Sequence, residues 1–521
     1  MPSDTPEQQR PQPPHADEDL DVLAADDAAE EILEEDNDMA MDSGDDDDDD
    51  DAEELTLVND AIAYFDEPQD SLFAIAQHPV HPTLVAVGGS AGAGDDAPGA
   101  GWVFDTSAAP SRPVLPASFA ADPAAAADRP PPAPLASLYA LEGHADSINS
   151  LCWTLPAGEA LVSGGLDGRV RAWKADAKPS TAGGGGLTMT PLGEAQEVEE
   201  VNWVAACPSA DNPNAVALGA GDGSVWVYTV DPSDAANPLQ IVQSYFLHTG
   251  ACTAGTWTPD GQLLATVSED GTLYVWDVWG AAAARGIVDS NGQTAVAMTP
   301  EDQRFEVEGG LYSVAIDPKA TFVAVGGAGG AIKIVSLPRL GGSTAATKQG
   351  KGGSSSSAVA ADATTGGQIL ASLHTQSDGV ETLAVTLAQA TPATVLLAAG
   401  SVDGSICVYD ATRRFAVRRH IVGAHEEHSV VRVEFVRNSW TLTSCGMDGV
   451  VRRWDLRGSA VGAGAQASGG AAAAADGGLI KEWKGHRGDG EGGGVLGFVQ
   501  GETGERVVTA GDDGVALVFE A

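Results

Sequence analysis

The chain has 521 residues, 43% of them hydrophobic, and its 27 Lys+Arg against 75 Asp+Glu give a net charge of −48. So large an acidic excess repels nucleic-acid phosphate and anionic lipid and attracts basic partners, which sets direct DNA or RNA binding aside. The opening MPSDTPEQQRPQPPHADEDL reads as no secretory leader, lacking a basic start and an apolar core, and no run of about 18 apolar residues offers a membrane span.

Taken in chain order, residues 1–54 hold 24 Asp+Glu against Arg10 alone, including the unbroken run Asp45–Asp51. Charge this dense cannot be offset by burial, which predicts a disordered acidic tail and leaves −25 on residues 55–521. From about Asp60 a repeat can be followed. Its marker is an Asp-Gly pair with Ser or Thr four residues before the Asp and an aromatic six after it: Ser163, Asp167, Trp173; Thr266, Asp270, Trp276; Ser444, Asp448, Trp454; Thr509, Asp513, Phe519. Asp222 and Asp403 keep the aromatic (Tyr228, Tyr409) without the hydroxyl, and two weaker copies lie at 84–105 and 323–335. Short apolar runs separated by Gly or Asp-Gly turns predict antiparallel strands and hairpins. Eight copies of roughly 45–65 residues predict an all-β propeller over residues 55–521, with seven blades as the alternative. After VALVFEA the last copy lacks an outer strand, and DAIAYFDE (60–67), which precedes the first inner strand, is expected to supply it and close the ring.

A histidine stands upstream of four markers: His144, His248, His425 and His486. Gly-His, Ser/Thr, Asp-Gly and Trp in this order resemble the WD-repeat family. That resemblance implies a hydrogen-bonded tetrad in each such blade: His144–Ser163–Asp167–Trp173, His248–Thr266–Asp270–Trp276 and His425–Ser444–Asp448–Trp454. His486–Thr509–Asp513 would lack the indole, Phe519 standing in its place. A hydrolase reading of the same residues fails, because a nucleophile is needed once at an open site and this trio recurs wherever the repeat dictates. The glycine-rich hairpins lack GxxxxGK[ST], and no Cys/His spacing suits zinc, so no enzyme and no cofactor or metal is expected. The five cysteines read as reduced thiols of strand segments.

In a propeller the d–a and b–c connections open on one face and the a–b and c–d connections on the other. Low-complexity stretches near 108–134, 176–193, 281–293, 341–367 and 458–478 read as c–d insertions, flexible linker crowding one face. The opposite face is expected to gather a partner-binding ring of carboxylates: Asp70, Asp146, Glu199, Glu200, Glu306, Glu308, Asp378, Glu381, Glu426 and Glu427 before inner strands, with Glu269 and Asp512 at b–c turns. Such a ring focuses negative potential and draws in a cationic peptide.

The acidic tail, the poorly matched first repeats and LLAAGSVDGSICVYDATRRFAVRRHIVGAH (396–425) are similar to the WD-repeat group of the animal angio-associated migratory cell protein, whose fungal relative is the dedicated chaperone of large-subunit ribosomal protein ten. The resemblance implies a cytoplasmic monomer, with nuclear entry left open, that captures the basic N-terminal segment of a large-subunit ribosomal protein during ribosome assembly. A general scaffold or signalling adaptor and a histone chaperone are the alternatives.

Overall fold

Runs such as LLATVS (Leu263–Ser268) carry aliphatic and hydroxyl side chains on both faces of one strand, and none of the six is more than 2% exposed. A strand so buried must lie inside a sheet and between two sheets, and the second strand of every blade does. The structure is a computed structural model that describes residues 59–92, 94, 97–110, 131–177, 186–340, 365–457, 477–487 and 493–521. The acidic stretch 1–54 lies outside the described residues.

Eight sheets follow one another, seven of them four-stranded antiparallel meanders, lettered a to d from the axis outward. Blade 1 covers residues 74–141, blade 2 148–196, blade 3 201–245, blade 4 252–298, blade 5 311–374, blade 6 380–421 and blade 7 430–483. Blade 8 takes its three inner strands from Val495–Val499, Arg506–Gly511 and Ala516–Glu520. The ring therefore has eight blades, not seven.

The fourth strand of blade 8 comes from far upstream. Ala63–Phe65 pairs antiparallel with Ala516–Glu520, Ala63 opposite Val518 and Phe65 opposite Ala516. Outside it, Ala133–Pro134 adds a fifth strand in parallel, with Ala133 N–H donating to the Ile62 carbonyl at 3.0 Å and Leu135 N–H to Tyr64 at 2.8 Å. The joining segment is thus hydrogen-bonded on both sides, and Pro134 offers no N–H to a further strand.

Two sequence readings of the insertions change. Half of the stretch 176–193 is strand, because Arg169–Ala177 and Leu187–Gln196 form one long hairpin that narrows the connection to residues 178–186. The stretch near 108–134 contributes the fifth strand of blade 8 instead of being linker throughout.

The core lies between blades. Ala86, Val103 and Leu141 of blade 1 meet Ile148, Trp153 and Trp173 of blade 2, and Tyr245 of blade 3 stacks on Trp276 of blade 4 with ring centroids 4.2 Å apart. Each such fully buried side chain contributes roughly 1.5–3 kcal/mol, which holds the ring together through neighbours alone. Indole staples reinforce it: Trp153 Nε1 donates to the Ala76 carbonyl and Trp257 Nε1 to Ala205, each one blade back.

Candidate functional site

The recurring histidines sit at the start of this architecture. In blade 7, His425 Nε2 lies 2.8 Å from Ser444 Oγ, which accepts the Trp454 indole N–H at 2.9 Å, and Nδ1 lies 2.9 Å from Asp448 Oδ1. An indole can only donate, so Ser444 donates onward to Nε2, and the proton of a neutral His425 sits on Nδ1 facing Asp448. Arg452 closes the set through Asp448 and through Glu482 at 2.9 Å. Blade 2 repeats the contacts between His144, Ser163 (2.7 Å) and Asp167 (3.0 Å), with Trp173 buried in the blade core and no indole bond to Ser163 among those described. Blade 8 repeats them between His486, Thr509 (2.8 Å) and Asp513 (3.0 Å).

Blade 4 departs from the expected tetrad. Thr272 Oγ1 stands 2.6 Å from His248 Nδ1 and donates to Asp270 Oδ1 at 2.6 Å, which leaves the carboxylate 4.0 Å from the ring. The hydroxyl two residues after the Asp is the cause; blades 2, 7 and 8 have Arg169, Val450 and Val515 there. Blade 6 uses Gln376 in the histidine's place, its Nε2 donating to the Ala399 and Ser405 carbonyls and to Ser405 Oγ.

Burial dominates the titration of these groups. It lowers His144 and His425 against the pull of their aspartates, and His248, with its carboxylate further off, is pushed down to about 4. Burial alone would raise Asp448, but hydrogen bonds and charge from His425 and Arg452 outweigh it and hold the carboxyl at about 2. Asp270 is also held at about 2, where bonds from Thr249 and Thr272 outweigh burial. The hydroxyls of Ser163, Thr266, Ser444 and Thr509 belong to residues with 0% exposure. No substrate carbonyl can reach them. Burial likewise raises every cysteine thiol, Cys152 and Cys445 to about 12 and Cys207 and Cys407 to about 11.

The Asp-Gly turns carry the histidine network into the open face. Gly168, Gly404 and Gly514 have φ of +73°, +75° and +74°, which glycine adopts without penalty. A Cβ on Gly168 would meet the Val198 carbonyl at 2.1 Å, and one on Gly404 the Glu426 carbonyl at 2.3 Å. Each turn therefore presses on the d–a loop of the next blade, and those loops bear the acids.

Glu199, Glu200, Glu269, Glu306, Glu308, Asp378, Glu381, Glu426 and Glu427 are exposed, and Asp70 and Asp146 are half-buried. Asp512 accepts the Ser71 hydroxyl across the closure of blades 8 and 1 at 2.5 Å. Asp70, Asp146 and Asp378 each accept the next residue's backbone N–H. Among the described residues, the side chains of the eight glutamates enter no hydrogen bond or ion pair. Glu381 stays solvent-accessible, yet surrounding protein first and the nearby charge of Asp378 second raise its carboxyl above the usual glutamate range.

Near the axis on this face, each inner strand from blade 2 to blade 8 bulges at its second residue. The bulge leaves that residue out of the ladder and re-aims its side chain. Asn149 and Asn202 donate sideways to carbonyls of the next blade's inner strand, and Thr253 does the same to Leu311 at 2.6 Å. Tyr312 and Glu381 follow, then Val431 and Leu496.

The opposite mouth differs. It opens into a cavity of about 1260 Å³ bounded by blades 7, 8, 1 and 2. The three arginines lining it are engaged: Arg432 pairs with Glu434 at 3.1 Å, Arg437 pairs with Glu502, and Arg506 donates to the Thr106 and Ala109 carbonyls.

A closed ring of eight antiparallel blades, pinned by repeated His–hydroxyl–Asp contacts, defines a WD-repeat β-propeller. The family described as WD domain, G-beta repeat matches residues 135–174 and 239–277. The crystal structure of Sqt1 from Chaetomium thermophilum is 53% identical with a TM-score of 0.73, over 89% of this chain and 98% of that one. A second structure of that protein, bound to the N-terminus of the ribosomal protein L10, matches at 53% identity with a TM-score of 0.72, over 89% of this chain and 100% of that one. The chain belongs to the Sqt1 family of WD-repeat proteins. The ribosome assembly protein SQT1 of Saccharomyces cerevisiae is 29% identical over 231 residues, 43% of each chain, so the match spans less than half of that relative. The human angio-associated migratory cell protein is 23% identical over 384 residues, 73% of this chain and 69% of that one.

Proposed function

We propose that this chain is a non-enzymatic chaperone that holds the basic N-terminal segment of the large-subunit ribosomal protein L10 on its acidic face until ribosome assembly. One observation carries the reading: the open face presents eight glutamates whose side chains enter no hydrogen bond or ion pair, while the arginines lining the other mouth are all engaged. An unspent carboxylate field steers a Lys/Arg-rich segment inward and is discharged by it. The Chaetomium thermophilum relative bound to the L10 N-terminus supplies the partner. Release needs no nucleotide, since ribosomal RNA phosphate competes for the same cations. The working compartment is the cytoplasm, where ribosomal proteins are synthesised.

The test is a titration of an L10 N-terminal peptide at two salt concentrations. Affinity should fall steeply with salt, and joint Glu199→Lys, Glu200→Lys, Glu381→Lys and Glu427→Lys should slow association about tenfold or more. A reversed face that binds as tightly as the native one excludes this face as the site. A histone-tail peptide of equal charge binding equally well would reduce the function to general polycation capture.

A further inference from the structure

The mouth that bears the glutamates is not uniformly acidic. Going round the axis, the bulge positions of blades 2 to 4 are committed to inter-blade hydrogen bonds through Asn149, Asn202 and Thr253. Those of blades 7 and 8 are Val431 and Leu496, each half-buried. In blade 1, Phe73 holds the corresponding place, one residue before Ala74 pairs with Gly88 and one after Leu72 donates to the Gly511 carbonyl. Phe73 is 40% exposed, and neither it nor Leu496 belongs to an inter-blade core cluster. Val431 packs in part against the core cluster of blades 7 and 8. Three adjoining blades thus each place an apolar residue at this position of the channel mouth, forming an apolar arc in which Phe73 is the most exposed. It abuts the acidic crescent at blade 7, where Glu426 and Glu427 precede Val431 and Glu381 stands one blade back.

Resting on the function proposed above, we propose that this arc is a docking subsite for one aromatic or branched aliphatic side chain of the captured segment. The partner is then a Lys/Arg-rich peptide with an apolar anchor, not any polycation. Charge alone selects for sign, and a flexible polyanionic surface holds all polycations about equally. An apolar anchor set at a fixed distance from the carboxylates supplies a second coordinate and selects by spacing. Covering an exposed phenylalanine with an apolar side chain is worth about ten- to a hundredfold in affinity.

The experiment compares wild type with the Phe73→Ser, Leu496→Ser double variant. Both are titrated with the L10 N-terminal segment and with oligo-arginine of the same length, at low and high salt. The expected result is a loss of tenfold or more for the L10 segment at both salt concentrations, with oligo-arginine binding unchanged. Phe73→Leu, which keeps an apolar contact, should recover most of the affinity, and this variant also serves if the double variant melts early. Native-strength binding of the L10 segment by the double variant overturns the arc. An equal loss for both ligands overturns it too, by showing a disturbance of the whole mouth. Failure of wild type to bind the L10 segment at all would instead overturn the function proposed above.

Discussion

Asp448 accepts from His425, Arg452 and the Val450 backbone at once, so its removal strands three donors in a buried setting. Asp448→Ala should cost about 2–3 kcal/mol and Asp167→Ala about 1–3 kcal/mol, read as lowered denaturation midpoints. A loss below a few tenths would contradict the network. His248 adds a pH dependence. It is held neutral at about 4 in the folded chain, against roughly 6.5 when unfolded. Between those values the unfolded chain takes up a proton that the folded chain refuses, so stability falls as pH drops through that window. Asp270, Asp403 and Asp448, held at about 2, contribute stability above roughly 3.9 that disappears as pH falls further. Blade 6 already shows glutamine in the histidine's place, so His248→Gln should flatten the melting-temperature profile between pH 6.5 and 4 and leave the steeper acid limb. Parallel profiles for the two proteins would refute this. At this scale the sequence revealed which residues meet but not how. The spacing of His248, Thr266 and Asp270 was readable, whereas Thr272 enters the chain of hydrogen bonds by side-chain reach that the repeat pattern does not encode.

Strands separated by an Asp-Gly turn were legible because the turn and the alternation are local. The closing strand was readable as well, from an unpaired outer position and a short apolar segment waiting upstream. Ala133–Pro134 was not, since a parallel pairing with Ala63–Phe65 leaves no periodicity in a Pro-rich stretch. The same limit hid the apolar arc, because a bulge is a property of two strands in register and not of either sequence alone. Two expectations belong to these elements. Removing residues 1–58 should leave the melting temperature almost unchanged, whereas removal through Asp66 takes the strand between Ala516–Glu520 and Ala133–Pro134 and should lower it by many degrees. Equal melting of the two truncations would mean that the strand contributes nothing. Gly168→Ala combines a φ of +73° with backbone at 2.1 Å. It should cost more than about 1 kcal/mol and shift the loop bearing Glu199, seen as weaker peptide binding together with lower stability.

For the molecule as a whole, the −25 on residues 55–521 acts twice. Like charges push the blades apart, and the same charges draw in a basic partner. Raising salt from about 0.05 to 0.5 M shortens the screening length from roughly 14 to 4 Å. The melting temperature should therefore rise while peptide affinity falls, two readouts of opposite sign from one titration. A melting temperature that drops alongside the affinity would show that attractive pairs, not repulsion, dominate the folded charge. Blade count was legible at this scale because eight copies constrain one another; which glutamates end up without an ion pair was not, as it depends on which loops the closed ring brings together.

The strand Ala63–Phe65 also imposes an order in time. Its partner Ala516–Glu520 lies about 450 residues downstream, and at roughly 5–20 residues per second a ribosome needs on the order of 20–90 s to make the intervening chain. For that interval the strand has only the short outer pairing with Ala133–Pro134 and no inner ladder to join, while blades 1 to 7 can assemble from contiguous sequence as they emerge. Ring closure is then the last event of folding, and a newborn chain is an open arc with two unfinished ends. Chains arrested before residue 515 should be cut by protease near Tyr64 and Phe65, and full-length released chains should be protected there. A protein proposed to shelter another's N-terminal segment would itself begin life with an N-terminal segment exposed.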